Sequence, residues 1–184
     1  MKSTSLFVAT AAIALIAAVY VGNQRTRTNV AAGNHALAAD FSLPDLDGKP
    51  LRLAGYKGKV ILLDFWATWC TPCRTEIPQF IELQNQYGQQ GFQVIGISLD
   101  DGPKPVREFY REFKINYPVA MGNEKIAEAY GGVFGLPVNF LIGRDGRIHA
   151  KHVGAADIKV LEQSIRTLLQ EQVVQSTNRG RTHE

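Results

Sequence analysis

An apolar run over residues 59–66 ends just before Cys70-Thr71-Pro72-Cys73, and these are the only two cysteines among 184 residues. A near-continuous apolar run of that length is the pattern of a central strand buried on both faces. Pro72 suits the first turn of a helix, where a missing backbone N–H costs nothing. The pair therefore sits where a buried strand hands over to a helix. Two thiols one turn apart at such a place can pass between dithiol and disulfide with little backbone movement, and the helix N-terminus favours the thiolate. Cys70, expected exposed near the N-cap, is the natural attacker, and Cys73, one turn on and more buried, is the resolving thiol. The competing readings are a permanent disulfide or half of a zinc site. A zinc site needs about four ligands, and the four histidines are scattered with no second cysteine pair, which argues against metal.

Before this motif lies a separate segment. Residues 6–21 are uncharged and almost wholly apolar behind a short basic start, the pattern of an export signal or a membrane anchor. Ala36-Leu37-Ala38 resembles a cleavage site but lies far downstream, so the preferred reading is an uncleaved anchor over 1–22. Lys2 on one side and Arg25 and Arg27 on the other leave its orientation open. Residues 23–39 are polar and aperiodic, a flexible tether. Residues 40–172 have the length of one ordinary domain, and 173–184 form a polar tail expected to fray. A net charge of +3, dispersed along the chain, argues against a nucleic-acid partner.

Within the domain, apolar runs at 41–44 and 50–53 flank Asp47-Gly48, predicting an opening β-hairpin. Helical spacing follows over 72–87, with Pro78 expected to kink it. A second buried strand is expected at 92–99, a helix at 103–113, a short strand at 117–121 and a short helix at 124–130. Runs at 138–142 and 148–153 flank Asp145-Gly146 and predict a closing hairpin, followed by a helix over 155–169. Alternating strands and helices closed by a hairpin imply an α/β fold, a central mixed sheet with helices on both faces.

Two motifs then carry a family resemblance: Asp64-Phe65-Trp66-Ala67-Thr68-Trp69-Cys70-Thr71-Pro72-Cys73 at a strand end, and Gly135-Leu136-Pro137-Val138-Asn139-Phe140. The chain resembles the thioredoxin superfamily, and within it the membrane-tethered TlpA/ResA-like thiol-disulfide oxidoreductases of the bacterial envelope. The resemblance implies a thioredoxin-like fold with the opening hairpin as an N-terminal extension and the segment around 104–130 as a central insertion. It further implies that Pro137 is cis and packs on the cysteine pair, leaving the Leu136 backbone to pair with an extended substrate segment. Asp64 matches the buried acid of thioredoxins, and Glu76 the active-site glutamate of the ResA-like group.

Either acid could take the proton of Cys73 if burial raises its pKa. Read without the resemblance, a solvated helix face is the lesser alternative for Glu76, whereas an acid inside an apolar strand is costly without a task. Thr71 and Pro72 tune the attacker, Trp69 lines a docking surface and Trp66 belongs to the core. His149 and His152, three apart in a strand and so on opposite faces, read as surface residues.

The expected function is reduction of disulfides in envelope proteins, with no cofactor beyond the Cys70–Cys73 disulfide. An oxidising compartment already supplies disulfides, so an anchored reductant serves selected thiols. The family resemblance suggests apocytochrome c or copper-site proteins as partners, a membrane electron donor for re-reduction, and a single-pass placement in the cytoplasmic membrane with the domain facing the periplasm. The alternatives are an oxidant or isomerase of exported proteins, a copper chaperone using Cys70 and Cys73, and a peroxide-reducing enzyme. The chaperone lacks an obvious third ligand, since Met121 and the histidines lie away from the pair in sequence. The peroxidatic Pro-x-x-x-Thr pattern is absent.

Overall fold

The computed structural model describes residues 35–179, with side chains through Glu171. Its elements are β1 (Ser42–Pro44), β2 (Pro50–Arg52), β3 (Val60–Trp66), α1 (Thr71–Tyr87), β4 (Phe92–Ser98), α2 (Pro103–Glu112), β5 (Val119–Met121), α3 (Glu124–Ala129), β6 (Val138–Ile142), β7 (Ile148–Val153) and α4 (Ile158–Arg179). The expected anchor over 1–22 lies outside the described residues, among which no helix is long and apolar enough to cross a membrane.

A five-stranded sheet in the order β5-β4-β3-β6-β7 organises the fold. Strands β3, β4 and β5 run parallel, while β6 is antiparallel to both β3 and β7. The β1-β2 hairpin forms its own small antiparallel sheet, with Leu43 opposite Leu51. This is the expected thioredoxin-like architecture with its N-terminal extension.

Strand β3 is buried at all seven positions, and its period of two divides the core. Val60, Leu62 and Trp66 face one cluster, which takes Ile77 and Phe80 from α1, Val106 and Phe109 from α2, and Leu161 and Ile165 from α4. Ile61, Leu63 and Phe65 face the other, completed by Leu43 and Leu51 of the hairpin, Ile126 of α3, and Phe140 and Ile142 of β6. By the same alternation Asp64 points into the first cluster, between Leu62 and Trp66. Gly96 of β4, beside Asp64 in register, makes room there: a Cβ on it would lie 2.9 Å from Trp66 Nε1 and 3.2 Å from Val119 Cγ2.

Three expectations are corrected. The tether does not run to residue 39, because Ala38 N donates to Gly146 O (2.9 Å), Ile148 N donates to Ala36 O (2.9 Å), and Leu37 bridges Arg147. These extended residues find backbone partners at the start of β7. The last helix begins at Ile158 rather than 155, where the Asp157 carboxylate accepts from Lys159 N (2.9 Å). It then continues to Arg179, past the expected end at 169 and into the segment read as a polar tail. No glycine or proline interrupts the backbone until Gly180.

Candidate active site

Strand β3 ends at Trp66, and the chain turns through residues 67–69 into α1. An acid outside the sequence motif holds this turn. Asp100, just beyond β4, accepts from Thr68 N (2.9 Å), Thr68 Oγ1 (2.6 Å) and Ser98 Oγ (2.8 Å). Leu99 N donates to Trp66 O at 2.9 Å, and Cys70 N to Ala67 O at 3.1 Å. The turn is therefore fastened to the neighbouring strand before the helix begins. Arg74 spans its outer side, with Nη1 3.3 Å from Thr68 O and the guanidinium 5.0 Å from the Phe109 ring and 5.5 Å from that of Phe113.

Cys70 is the N-cap of α1, with Pro72 in the first turn, and its Sγ accepts from Cys73 N at 3.3 Å. The two cysteines are disulfide-bonded, with Cα atoms 5.3 Å apart. Their order of burial is the expected one, but the expected exposure of Cys70 is not: it is 5% exposed against 1% for Cys73. The bond draws both into the first core cluster. Thr71 and Pro72 are exposed on the first turn, as is Trp69 beside the attacker, at 68%. The Leu136–Pro137 peptide is cis. Pro137 is buried, and half-buried Leu136 packs against both clusters, the one containing the cysteines included. Just before it, Phe134 is 98% exposed.

Behind the disulfide lies a buried polar chamber. Asp64 is 1% exposed, Glu76 3% and Asn139 0%. Glu76 is thus no solvated helix residue, and its Oε1 accepts from Ala156 N at 2.6 Å, from the segment leading into α4. Asn139 stands opposite Asp64 in the β3–β6 register. Burial first, and then the charge of Glu76, hold the Asp64 carboxyl well above its usual range. Burial also raises Glu76, against the opposing pull of the Ala156 amide and the Asn139 side chain. The Asn139 contact falls short of full hydrogen-bond geometry, since both Asn139 amide atoms, Glu76 Oε2 and Asp64 Oδ1 have no protein partner. Tyr117, also buried with an unpartnered hydroxyl, is raised by burial and then by Asp64, Tyr110 and Glu76. Both carboxyl groups are thus held toward the protonated form relative to exposed acids, the direction a group needs if it is to take a proton from a thiol.

The structure places both expected acids on the face of the sheet that carries the cysteines and shows the expected cis-proline; it adds Asp100 and Tyr117, which sequence reasoning did not single out, and Asn139, which it met only as part of a motif. Asn139 was detectable as an amide inside the apolar run Val138–Ile142. Asp100 gave no comparable signal, because its partner Thr68 lies 32 residues away. His152 is corrected: it is half-buried, on the same face as the chamber, with Nε2 out of solvent and without a partner. His149, also half-buried, lies 3.4 Å from Asp145 Oδ1. Among the described residues no three His, Cys, Asp or Glu side chains converge as a metal site.

The AhpC/TSA family model matches residues 35–151. The thiol-disulfide oxidoreductase ResA of Bacillus thuringiensis subsp. konkukian is 35% identical over 133 residues, covering 71% of this chain and 76% of that protein. ResA of Geobacillus thermodenitrificans is 32% identical over 151 residues, covering 82% and 85%. A thiol:disulfide interchange protein of the thioredoxin family from Chlorobium tepidum superposes with a TM-score of 0.69 at 31% identity, over 76% of this chain and 99% of that one. A strand-to-helix cysteine pair, a cis-proline segment and a matching length of domain agree with these likenesses, and the chain belongs to the AhpC/TSA family, among its ResA-like members of thioredoxin-like fold.

Proposed function

We propose that the protein is a thiol-disulfide oxidoreductase that reduces disulfides in partner proteins. The observation that carries this reading is the placement of Cys70 and Cys73 across the first turn of α1 with two buried carboxyl groups behind Cys73. Cys70 Sγ, as a thiolate favoured by the Cys73 amide and the helix N-terminus, attacks one sulfur of the partner disulfide. The other partner sulfur leaves with the electron pair. Cys73 then loses its proton to the Asp64/Glu76 pair and attacks Cys70 Sγ, forming the Cys70–Cys73 bond and releasing the second partner sulfur. The partner gains two electrons and the protein ends as the disulfide. Trp69, Leu136 and Pro137 receive the partner segment, Thr71 and Pro72 set the poise of the attacker, and no cofactor is required.

In this reading the domain works outside the cytoplasmic membrane, tethered by the apolar segment over residues 6–21, with re-reduction by a membrane electron donor. Apocytochrome c and copper-site proteins are the partner classes it fits. The reduction potential of Cys70–Cys73 at neutral pH, titrated against a dithiol buffer, tests the direction. A value near or below about −230 mV supports a reductant, and one near about −120 mV makes the protein an oxidant. Cys73→Ser should trap mixed disulfides through Cys70, and Cys70→Ser should trap none.

A further inference from the structure

Five large hydrophobic side chains are exposed among the described residues: Leu37, Trp69, Phe134, Val153 and Val160. Scattered singly, such residues need no explanation. Three of these are not scattered. Trp69 directly precedes Cys70, Phe134 stands two residues before the cis Leu136–Pro137 peptide, and Val153 ends β7 opposite Val138, the residue after Pro137. The bond from Gly154 N to Pro137 O (2.9 Å) fastens the end of β7 to the cis-proline. Leu136 packs against the cluster that holds both cysteines, and two residues of chain reach at most about 7 Å, so Phe134 lies at the rim of the reactive site.

Phe134 is the most exposed of the three, at 98%, against 74% for Val153 and 68% for Trp69. Its ring is nonetheless supported. Gly131 and Gly132 both take left-handed conformations, with φ of 79° and 77°, and turn the chain after α3. The Phe134 ring lies against Gly132, where a Cβ would overlap Cε2 and come 2.6 Å from Cζ. The glycine thus permits the turn and leaves space for the ring. An aromatic side chain has few rotatable bonds, and one resting on backbone has still less freedom to lose when something covers it.

The reaction fixes what covers it. A partner disulfide can bond to Cys70 Sγ only if the chain on either side of that disulfide lies across the surface around Cys70. A large apolar side chain in that flanking chain would remove the Phe134 ring from water, whereas a small polar one would leave it wet. Aromatic side chains that become buried in this way dominate the energetics of recognition.

We propose that Phe134 is a specificity-determining residue, which selects partner segments that carry a large apolar side chain within a few residues of their disulfide. This deepens the reductase reading and rests on it. Trp69, Leu136 and Pro137 receive the partner backbone and sulfur whatever its sequence, and Phe134 discriminates between sequences.

The test uses two synthetic peptides of equal length that differ only in the residues flanking one disulfide, leucine in the first and serine in the second. The full chain is reduced, freed of reductant and mixed with each peptide or with oxidised glutathione, and formation of the Cys70–Cys73 bond is followed by tryptophan fluorescence. The wild type should react about tenfold faster with the leucine peptide. Phe134→Ala should abolish that preference by slowing the leucine peptide alone, with the serine peptide and glutathione unchanged, and Phe134→Leu should keep most of it. Leu37→Ala, which removes exposed apolar surface beside the start of β7, should match the wild type. A wild type without preference, a preference that survives in Phe134→Ala, or an equal loss with all three oxidants overturns the assignment. So does sedimentation that shows a wild-type dimer and a Phe134→Ala monomer, which would give the ring to a second copy of the chain. A wild type that none of the three disulfides oxidises overturns the reductase reading itself.

Discussion

Asp64 is the residue whose cost and use are most closely joined. Burial and Glu76 hold its pKa above that of an unfolded aspartate. Between the unfolded and folded values the native state keeps a proton that the unfolded chain has lost, so stability falls as pH rises through that window. Asp64→Asn should therefore stabilise the protein at pH 7, on the order of 1 kcal/mol or more, while slowing disulfide reduction. Urea unfolding of both proteins at pH 7 and pH 4 checks it, and the advantage of the variant should vanish at the lower pH. Asp100 has the opposite character. Its carboxylate holds two donors of Thr68 in the turn before Cys70 and a third from Ser98 on β4, and Asp100→Ala should destabilise by about 2 kcal/mol in urea titrations. The cysteines and acids were legible because an acid in an apolar strand and a cysteine pair at a helix start are conspicuous in one dimension. Asp100, buried though it is, was not, since an acid just after a strand has the same sequence appearance whether or not a distant threonine meets it.

At the scale of elements, hydrophobic period and turn residues were sufficient for the strands and the first three helices, because most of them have Gly, Pro or Asp-Gly at one end or both. The last helix had no such stop before Gly180, and its true end was hidden for that reason. The tether was also misjudged at its end: residues 36–38 have no strand pattern and are ordered by the backbone of 146–148. Strand β4 contributes by what it omits. Gly96→Ala would press a methyl group against the Trp66 indole, 2.9 Å away, and against Val119. The indole must shift beside Asp64, and the expected cost is about 1–3 kcal/mol together with altered tryptophan fluorescence. The opening hairpin is a packing element of the second cluster. Leu43→Ala should cost about 2–4 kcal/mol in thermal or urea unfolding without changing the reduction potential, since it lies across the sheet from the cysteines.

Across the whole molecule, the two clusters share β3 and β4, so neither can dissolve while the other stands. Unfolding of the oxidised domain should be one transition, with tryptophan fluorescence and far-ultraviolet circular dichroism giving coincident curves. The alignment of Asp64, Asn139 and His152, opposed across β3, β6 and β7, belongs to this scale alone. Its members are 75 and 13 residues apart in the chain, and only the order β3-β6-β7 makes them neighbours. Sequence reasoning could assign His152 to a face of β7 but not to a partner. The bond from Ala156 N to Glu76 Oε1 closes a span of 80 residues. Its consequence is one of timing. The cysteines leave the ribosome long before Ala156 does, so a growing chain carries both thiols while the acid beside them is still unfastened. The reactive centre is completed by a late segment of the polypeptide, and a chain cut short before residue 156 would have the motif without the finished site.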